Sequence, residues 1–291
     1  MKEIMQEICP MLPERIGEAV LAASALHGGD LQEIRLYSGA CAAVVIRGKM
    51  IKLREVCPER DFRATVMRLC GNSLYAHSDT IREGYIYTAG GIRVGICGRA
   101  VAPCGTVERV VDITSLCIRL PVRIPGAADD LLPYIFRGGG VHGLLVWSPP
   151  GVGKTTILRE LTAALSDADP SCRAAVVDSR QEITSALGQL SIDVLLGYPR
   201  AIGMEIAVRT LSPQIVLCDE ISGNADVEAV LKCAASGAAV VATVHAGCRE
   251  DLMRRKEIRC LLECSVFPTL VGLKREGAEV RHLITGGQVN I

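Results

Sequence analysis

Basic residues are not in excess in this chain of 291 residues: lysine plus arginine and aspartate plus glutamate number 32 each, for a formal net charge of zero. A dedicated nucleic-acid binder shows a basic surplus, so that class is set aside, a local basic patch excepted. None of the 13 cysteines stands in a Cys-x-x-Cys pair. That removes the zinc ribbon and the dithiol redox motif, and fits reduced thiols in a cytosolic enzyme better than a disulfide scaffold. Apolar runs such as Ala238–Val244 are far too short to span a bilayer. The opening Met1-Lys-Glu-Ile-Met-Gln-Glu7 carries acids and lacks the apolar core of a secretory leader. The expected location is the cytoplasm, with any membrane association peripheral and through partners. Internal repeats and low-complexity segments are also absent, and the length suffices for two domains with a sizeable core.

What is present centres on Ser148-Pro149-Pro150-Gly151-Val152-Gly153-Lys154-Thr155-Thr156. An apolar run, Leu144–Trp147, precedes it and reads as a buried strand. The apolar residues of Ile157–Leu165 follow at helical spacing. Strand, glycine-rich turn, Lys-Thr and helix form the context of a phosphate-binding loop. Its backbone N–H groups cradle phosphates, with Pro149 to Thr156 as the binding segment; Lys154 meets the outer phosphates and Thr155 reaches Mg2+. The pattern usually opens on glycine, and here Ser148 takes that place.

The chain before this loop reads as a smaller α+β domain, residues 1–125. A helix is expected over 1–26, followed by strands at 31–36, 41–46 and 50–53 and a helix at 62–69. A hairpin is expected between 85–88 and 92–101 around Ala89-Gly90-Gly91. Prolines 121, 125 and 133 and Gly138-Gly139-Gly140 suggest a linker over 126–140. From 141 to 291 strands alternate with helices, which predicts a mostly parallel, helix-covered sheet. The fold class is thus α/β, a RecA-like P-loop ATPase domain preceded by the α+β domain.

Three further strand ends carry candidate chemistry. Ile215–Glu220 is an apolar strand ending in two acids; beside a P-loop, Asp219 is the candidate magnesium ligand and Glu220 the group that polarises attacking water. Val176-Val-Asp178-Ser-Arg-Gln-Glu182 ends another strand, so Asp178 and Glu182 are candidates to face the γ-phosphate or its water. Thr243-Val-His245 ends a third, placing His245 as a candidate phosphate sensor. Arg209, Arg93, Arg99, Arg119 and Arg123 are candidates for an arginine that completes the site from a moving domain or a neighbouring subunit.

In this order the four elements resemble the type II/type IV secretion ATPases. Within that superfamily the chain is most similar to the stage III sporulation AA family, through Leu31–Leu36, Gly91–Ala100, Ile113–Arg119 and Leu211–Glu220. The resemblance covers roughly residues 30–285. It implies ATP and Mg2+ as cofactors, a hexameric homo-oligomer and ATP hydrolysis that powers a channel joining mother cell and forespore. Integral membrane proteins of that channel complex are the implied partners, with no nucleic acid expected. Ser179 stands where that family usually carries a second acid, and the general secretion ATPases have glutamate in the place of Asp178. A nucleic-acid-associated ATPase and a non-catalytic, nucleotide-dependent scaffold are the alternatives.

Overall fold

The computed structural model of the chain describes residues 2–28, 31–103, 105–121, 123–167, 172–185, 187–277 and 279–287. The chain divides into two compact units, Met1–Val122 and Arg123–Ile291.

The first unit opens with α1 (Lys2–Ile8), a 3-10 turn at Cys9–Met11 and α2 (Glu14–Leu26). The apolar spacing predicts a single helix here, but two prolines divide it. Leu12, directly before Pro13, is extended at φ −82°, ψ 161°, because a proline ring excludes the helical region for the residue ahead of it. Strands β1 (Leu31–Tyr37), β2 (Ala40–Ile46) and β3 (Lys49–Cys57) follow, then α3 (Glu59–Leu69), α4 (Ser78–Arg82), β4 (Tyr85–Tyr87), β5 (Arg93–Val101) and β6 (Arg109–Arg119). They form an antiparallel sheet in the order β3-β2-β1-β6-β5-β4. Alternation sends every second side chain to one face. A buried row therefore crosses five strands: Val44, Ile34, Ile118, Val94 and Ile86 are successive register partners. Central strand β6 has no counterpart among the expected strands. Only its last third alternates with burial, so its first residues carry no amphipathic signal.

The second unit contains α5 (Leu132–Ile135), a small hairpin of β7 (Phe136–Arg137) and β8 (Gly140–Val141), then β9 (Leu144–Ser148) and α6 (Lys154–Asp167). The stretch expected as a linker packs into this unit: Ala128, Leu131 and Ile135 are buried beside Leu144, Val146, Leu158 and Leu161. Next come β10 (Ala174–Asp178), β11 (Asp193–Leu196), α7 (Arg200–Leu211), β12 (Ile215–Glu220), α8 (Asn224–Ala235) and β13 (Ala239–His245). The unit closes with α9 (Arg249–Arg254), α10 (Lys256–Glu263), β14 (Thr269–Glu276) and β15 (Glu279–Gly286).

Its seven-stranded sheet runs β11-β10-β12-β13-β9-β14-β15, parallel throughout except for edge strand β15, which runs antiparallel to β14. Both faces are covered. Val216 and Cys218 of β12 pack with Met204, Val227 and Val230, while Ile215 and Leu217 pack with Leu158, Leu161 and Val176. Burial on two sides explains why these strands read as unbroken apolar runs. The parallel strands β9, β10, β12 and β13 end on Ser148, Asp178, Glu220 and His245, at the carboxyl edge where open α/β sheets hold ligands.

Candidate functional site

The loop from β9 to α6 turns through Gly151 at φ +75° and Gly153 at φ +132°. A Cβ at either position would meet nothing within 4 Å. Backbone conformation, rather than lack of space, therefore demands glycine there. Ser148 is not among the residues with positive φ, so the position where the common pattern has glycine does not require one. Its side chain is buried and its hydroxyl donates to the Pro149 carbonyl at 2.9 Å.

Lys154 begins α6 and is only 7% exposed. Its Nζ donates to the Ser148 carbonyl at 3.1 Å, the Pro149 carbonyl at 3.3 Å and His245 Nδ1 at 2.7 Å. Burial lowers its pKa, with the charge of Glu220 opposing. An ammonium has no lone pair, so Nδ1 must be the acceptor and the imidazole proton sits on Nε2. That nitrogen lies 3.2 Å from Glu220 Oε2. Lysine, histidine and glutamate are thus joined in one chain across α6, β13 and β12.

One cleft of about 410 Å³ gathers these groups. Pro150, Gly151, Gly153, Lys154, Thr155 and Thr156 line one side, and Arg180, Glu182, Asp219, Glu220, Thr243 and His245 the other. Pro149 and Val152 support the loop instead: the first receives Lys154, and the second packs on the apolar core. Two adjacent strand residues facing one cleft need explanation, since successive side chains alternate. The register between β12 and β13 slips here: Cys218 pairs with Ala242 and Glu220 with Thr243, leaving Asp219 as a bulge. A bulge re-aims side chains, and both acids reach the cleft.

Asp178 takes a different place from the one expected. It is fully buried, and its carboxylate accepts four hydrogen bonds: Glu182 N–H on Oδ1 at 2.9 Å, and Ile183 N–H, Thr184 N–H and the Thr184 hydroxyl on Oδ2 at 3.0, 2.9 and 2.8 Å. It pins the loop after β10 rather than facing the cleft. That loop carries Gln181 at φ +52°, a conformation costly for a side-chain-bearing residue, and it delivers Arg180 and Glu182 to the cleft wall.

Arg209 is exposed in the last turn of α7. The arginine of that helix beside the site is Arg200, at the opposite end. Its Nε donates to Asp219 Oδ1 at 2.7 Å and its Nη1 to Asp226 Oδ2 at 2.6 Å. Asp226 also accepts the Ser222 N–H at 2.9 Å. Burial raises the Asp219 pKa, and the Arg200 guanidinium opposes that rise. Close packing brings α7 in: a Cβ on Gly203 would come within 2.5 Å of Val177 Cγ1. The other candidate arginines are engaged within their own units. Arg93 lies 4.4 Å over the Tyr85 ring, Arg99 pairs with Asp112 at 2.6 Å, Arg119 with Glu33 at 3.7 Å and Arg123 with Glu160 at 3.1 Å.

Arg180, Arg200, Asp226 and Thr243 are site residues that sequence reasoning missed. Arg180 stood in plain view between Asp178 and Glu182, whereas no spacing rule pairs Arg200 with an acid 19 residues on. Among the described residues no group of three or more His, Cys, Asp or Glu is disposed to hold a metal ion by itself.

The family model for sporulation stage III, protein AA matches residues 2–285. The chain belongs to the sporulation stage III, protein AA family. The Stage III sporulation protein AA of Bacillus subtilis (strain 168) is 30% identical over 281 residues, covering 93% of this chain and 91% of that protein. This family member also shares its fold with two solved proteins, a pilus retraction motor and an ATPase. The pilus retraction motor PilT with bound ADP superimposes with TM-score 0.66 at 16% identity, over 93% of this chain and 83% of that one. The Legionella pneumophila ATPase DotB gives 0.58 at 16% identity, over 94% and 79%. Among the described residues no helix is long and apolar enough to cross a membrane.

Proposed function

We propose that this protein is an ATP-hydrolysing, secretion-type motor acting at the mother cell–forespore channel complex in endospore formation. The observation that carries the reading is the Lys154–His245–Glu220 chain, set beside a glycine-turned loop in one cleft. The residues fit ATP with Mg2+. The loop's positive-φ glycines suit a phosphate cradle of backbone N–H groups, Lys154 supplies charge, Thr155 and Thr156 supply hydroxyls, and Asp219 offers a carboxylate for the cation. Bound ATP–Mg2+ supplies the phosphoanhydride to be cleaved and a cation that spreads its charge.

The chain's own groups divide the work. Lys154 turns from His245 Nδ1 to the outer phosphates. Glu220, oriented through Oε2 by the imidazole N–H, takes a proton from water. Giving up Lys154 frees Nδ1, so phosphate occupancy and the setting of Glu220 are linked through one ring. Glu182 and Arg180 flank that position. The names of the relatives agree with this reading: one is a sporulation protein, one a motor crystallised with ADP, one an ATPase. The protein works as a hexameric ring on the cytoplasmic side of the mother cell, held at the membrane by integral membrane proteins of the channel.

Phosphate release, nucleotide binding and particle size, measured with and without a nonhydrolysable ATP analogue, test this. Lys154→Ala is expected to abolish nucleotide binding. Glu220→Gln is expected to keep binding and lose turnover by about 10²–10⁴-fold. A protein that stays monomeric and releases no phosphate, even with membrane partners present, overturns the motor reading. Undiminished turnover in Glu220→Gln moves the base to Glu182.

A further inference from the structure

Asp219 does not stand alone at the cleft. Arg200 occupies its Oδ1 and spans to Asp226, and all three side chains are largely withdrawn from water: Arg200 is 10% exposed, Asp219 15% and Asp226 12%. The fork geometry suits a guanidinium bridging two carboxylates. Asp226 is further tied down by the Ser222 N–H and hydroxyl. The acid placed to meet a divalent cation is therefore already partly neutralised by a fixed positive charge, from a residue that does not itself line the cleft.

A hard divalent cation needs several oxygen ligands and enough negative charge to replace its water. Here no group of three or more His, Cys, Asp or Glu among the described residues is disposed to hold a metal ion, and the carboxylate assigned to the cation is shared with an arginine. At the short range of such a triad the repulsion between a guanidinium and a divalent cation offsets a large share of what one carboxylate gains.

We infer that Arg200 makes divalent-cation binding conditional on nucleotide: by holding Asp219 Oδ1 and offsetting its charge, it leaves the cleft unable to retain the cation until phosphate oxygens supply the missing ligands. This rests on the nucleotide-binding reading above. It assigns to Arg200 a positioning and discriminating role, with no contact to the reacting atoms. Its consequence is that the protein takes up the nucleotide–cation complex as one unit and ignores the free cation.

Manganese(II) binding followed by electron paramagnetic resonance tests this on the full chain, with the cation alone and with a nonhydrolysable ATP analogue. Wild type is expected to bind Mn2+ weakly alone and far more tightly with the analogue. Arg200→Met is expected to raise the affinity for Mn2+ alone at least about tenfold. Because that variant leaves two buried acids unpaired, Arg200→Met combined with Asp226→Asn gives a second, charge-balanced version in which the same rise is expected. Arg200→Lys keeps the charge and is expected to stay near wild type. Tight wild-type binding of Mn2+ alone overturns the inference. So does an unchanged or weaker nucleotide-free affinity in the two methionine variants, or a rise in Arg200→Lys equal to that in Arg200→Met. Binding of a fluorescent ATP analogue, read in parallel, separates the two proposals. If wild type binds no nucleotide the function reading fails, while the nucleotide-free Mn2+ measurements still judge Arg200.

Discussion

Asp178 and Asp219 make an instructive pair. Asp178 ends β10 and Asp219 is the penultimate residue of β12, its direct parallel partner on the same edge of the same sheet. Yet one acid points back and one points out. After Asp178 the chain curls over, and three N–H groups and a hydroxyl converge on its carboxylate. After Cys218 the strand bulges, and Asp219 reaches the cleft with a single charged partner behind it. A place at the end of a strand brings an acid to the ligand edge. The next few residues of backbone decide whether it serves the ligand or the loop.

The largest contrast between the two is in stability. Asp178→Ala leaves several buried donors unsatisfied at once, and is expected to cost about 4 kcal/mol of unfolding free energy. Asp219→Ala leaves Arg200 with Asp226 as partner, and is expected to cost about 1–2 kcal/mol. Urea unfolding measures both. Equal losses would erase the distinction between a loop-holding acid and a cleft acid. The cation dependence of phosphate release should divide them the other way. Asp219→Ala is expected to shift half-saturation by Mg2+, and a destabilised but folded Asp178 variant is expected to leave it in place.

The parts of the site that were legible from sequence share one property: their causes are local. Gly151 and Gly153 sit where the backbone needs positive φ, and Lys154 follows directly. An apolar run ending in Asp219-Glu220 announces a buried strand and its edge. The role of Asp178 was hidden because it depends on residues 182–184 folding back onto it. Arg200 was hidden because its partners come from β12 and α8, 19 and 26 residues on. The fold shows the same division. The strand–helix alternation of the second unit was readable, since two-sided burial makes continuous apolar runs. The break at Pro10 and Pro13 was locally encoded, yet the helical spacing of Ile4, Ile8, Leu12 and Ile16 spoke for one helix. In the first unit β6 became a strand through pairing with β1 and β5 rather than through its own pattern.

The two ends of α7 extend the comparison at smaller scale. Arg200 is buried between acids, whereas Arg209 is exposed in the last turn, where a cation favourably meets the helix dipole. Arg209→Ala is expected to change stability by about 0.5 kcal/mol and to leave nucleotide affinity unchanged. A clear fall in turnover or affinity would support Arg209 as an arginine that completes the site from a neighbouring subunit.

The smallest expected effect concerns pH and Lys154. Burial holds the pKa of this lysine below its ordinary value, the nearby Glu220 only partly countering. Between the lowered folded value and the ordinary one near 10.5, the unfolded chain binds more protons at this site than the folded protein does. Stability contributed by this group therefore rises as pH climbs through that window. Below the folded value both states carry the proton, and the lysine's charge is retained at the cost of burying it. Lys154→Met removes the titration, so its unfolding free energy should show a flatter alkaline limb than wild type when both are followed by urea denaturation across that range. A parallel pair of curves would mean that the Ser148 carbonyl and His245 compensate the ammonium fully for its burial, and the chain from Lys154 to Glu220 would then be a tighter unit than its distances alone suggest.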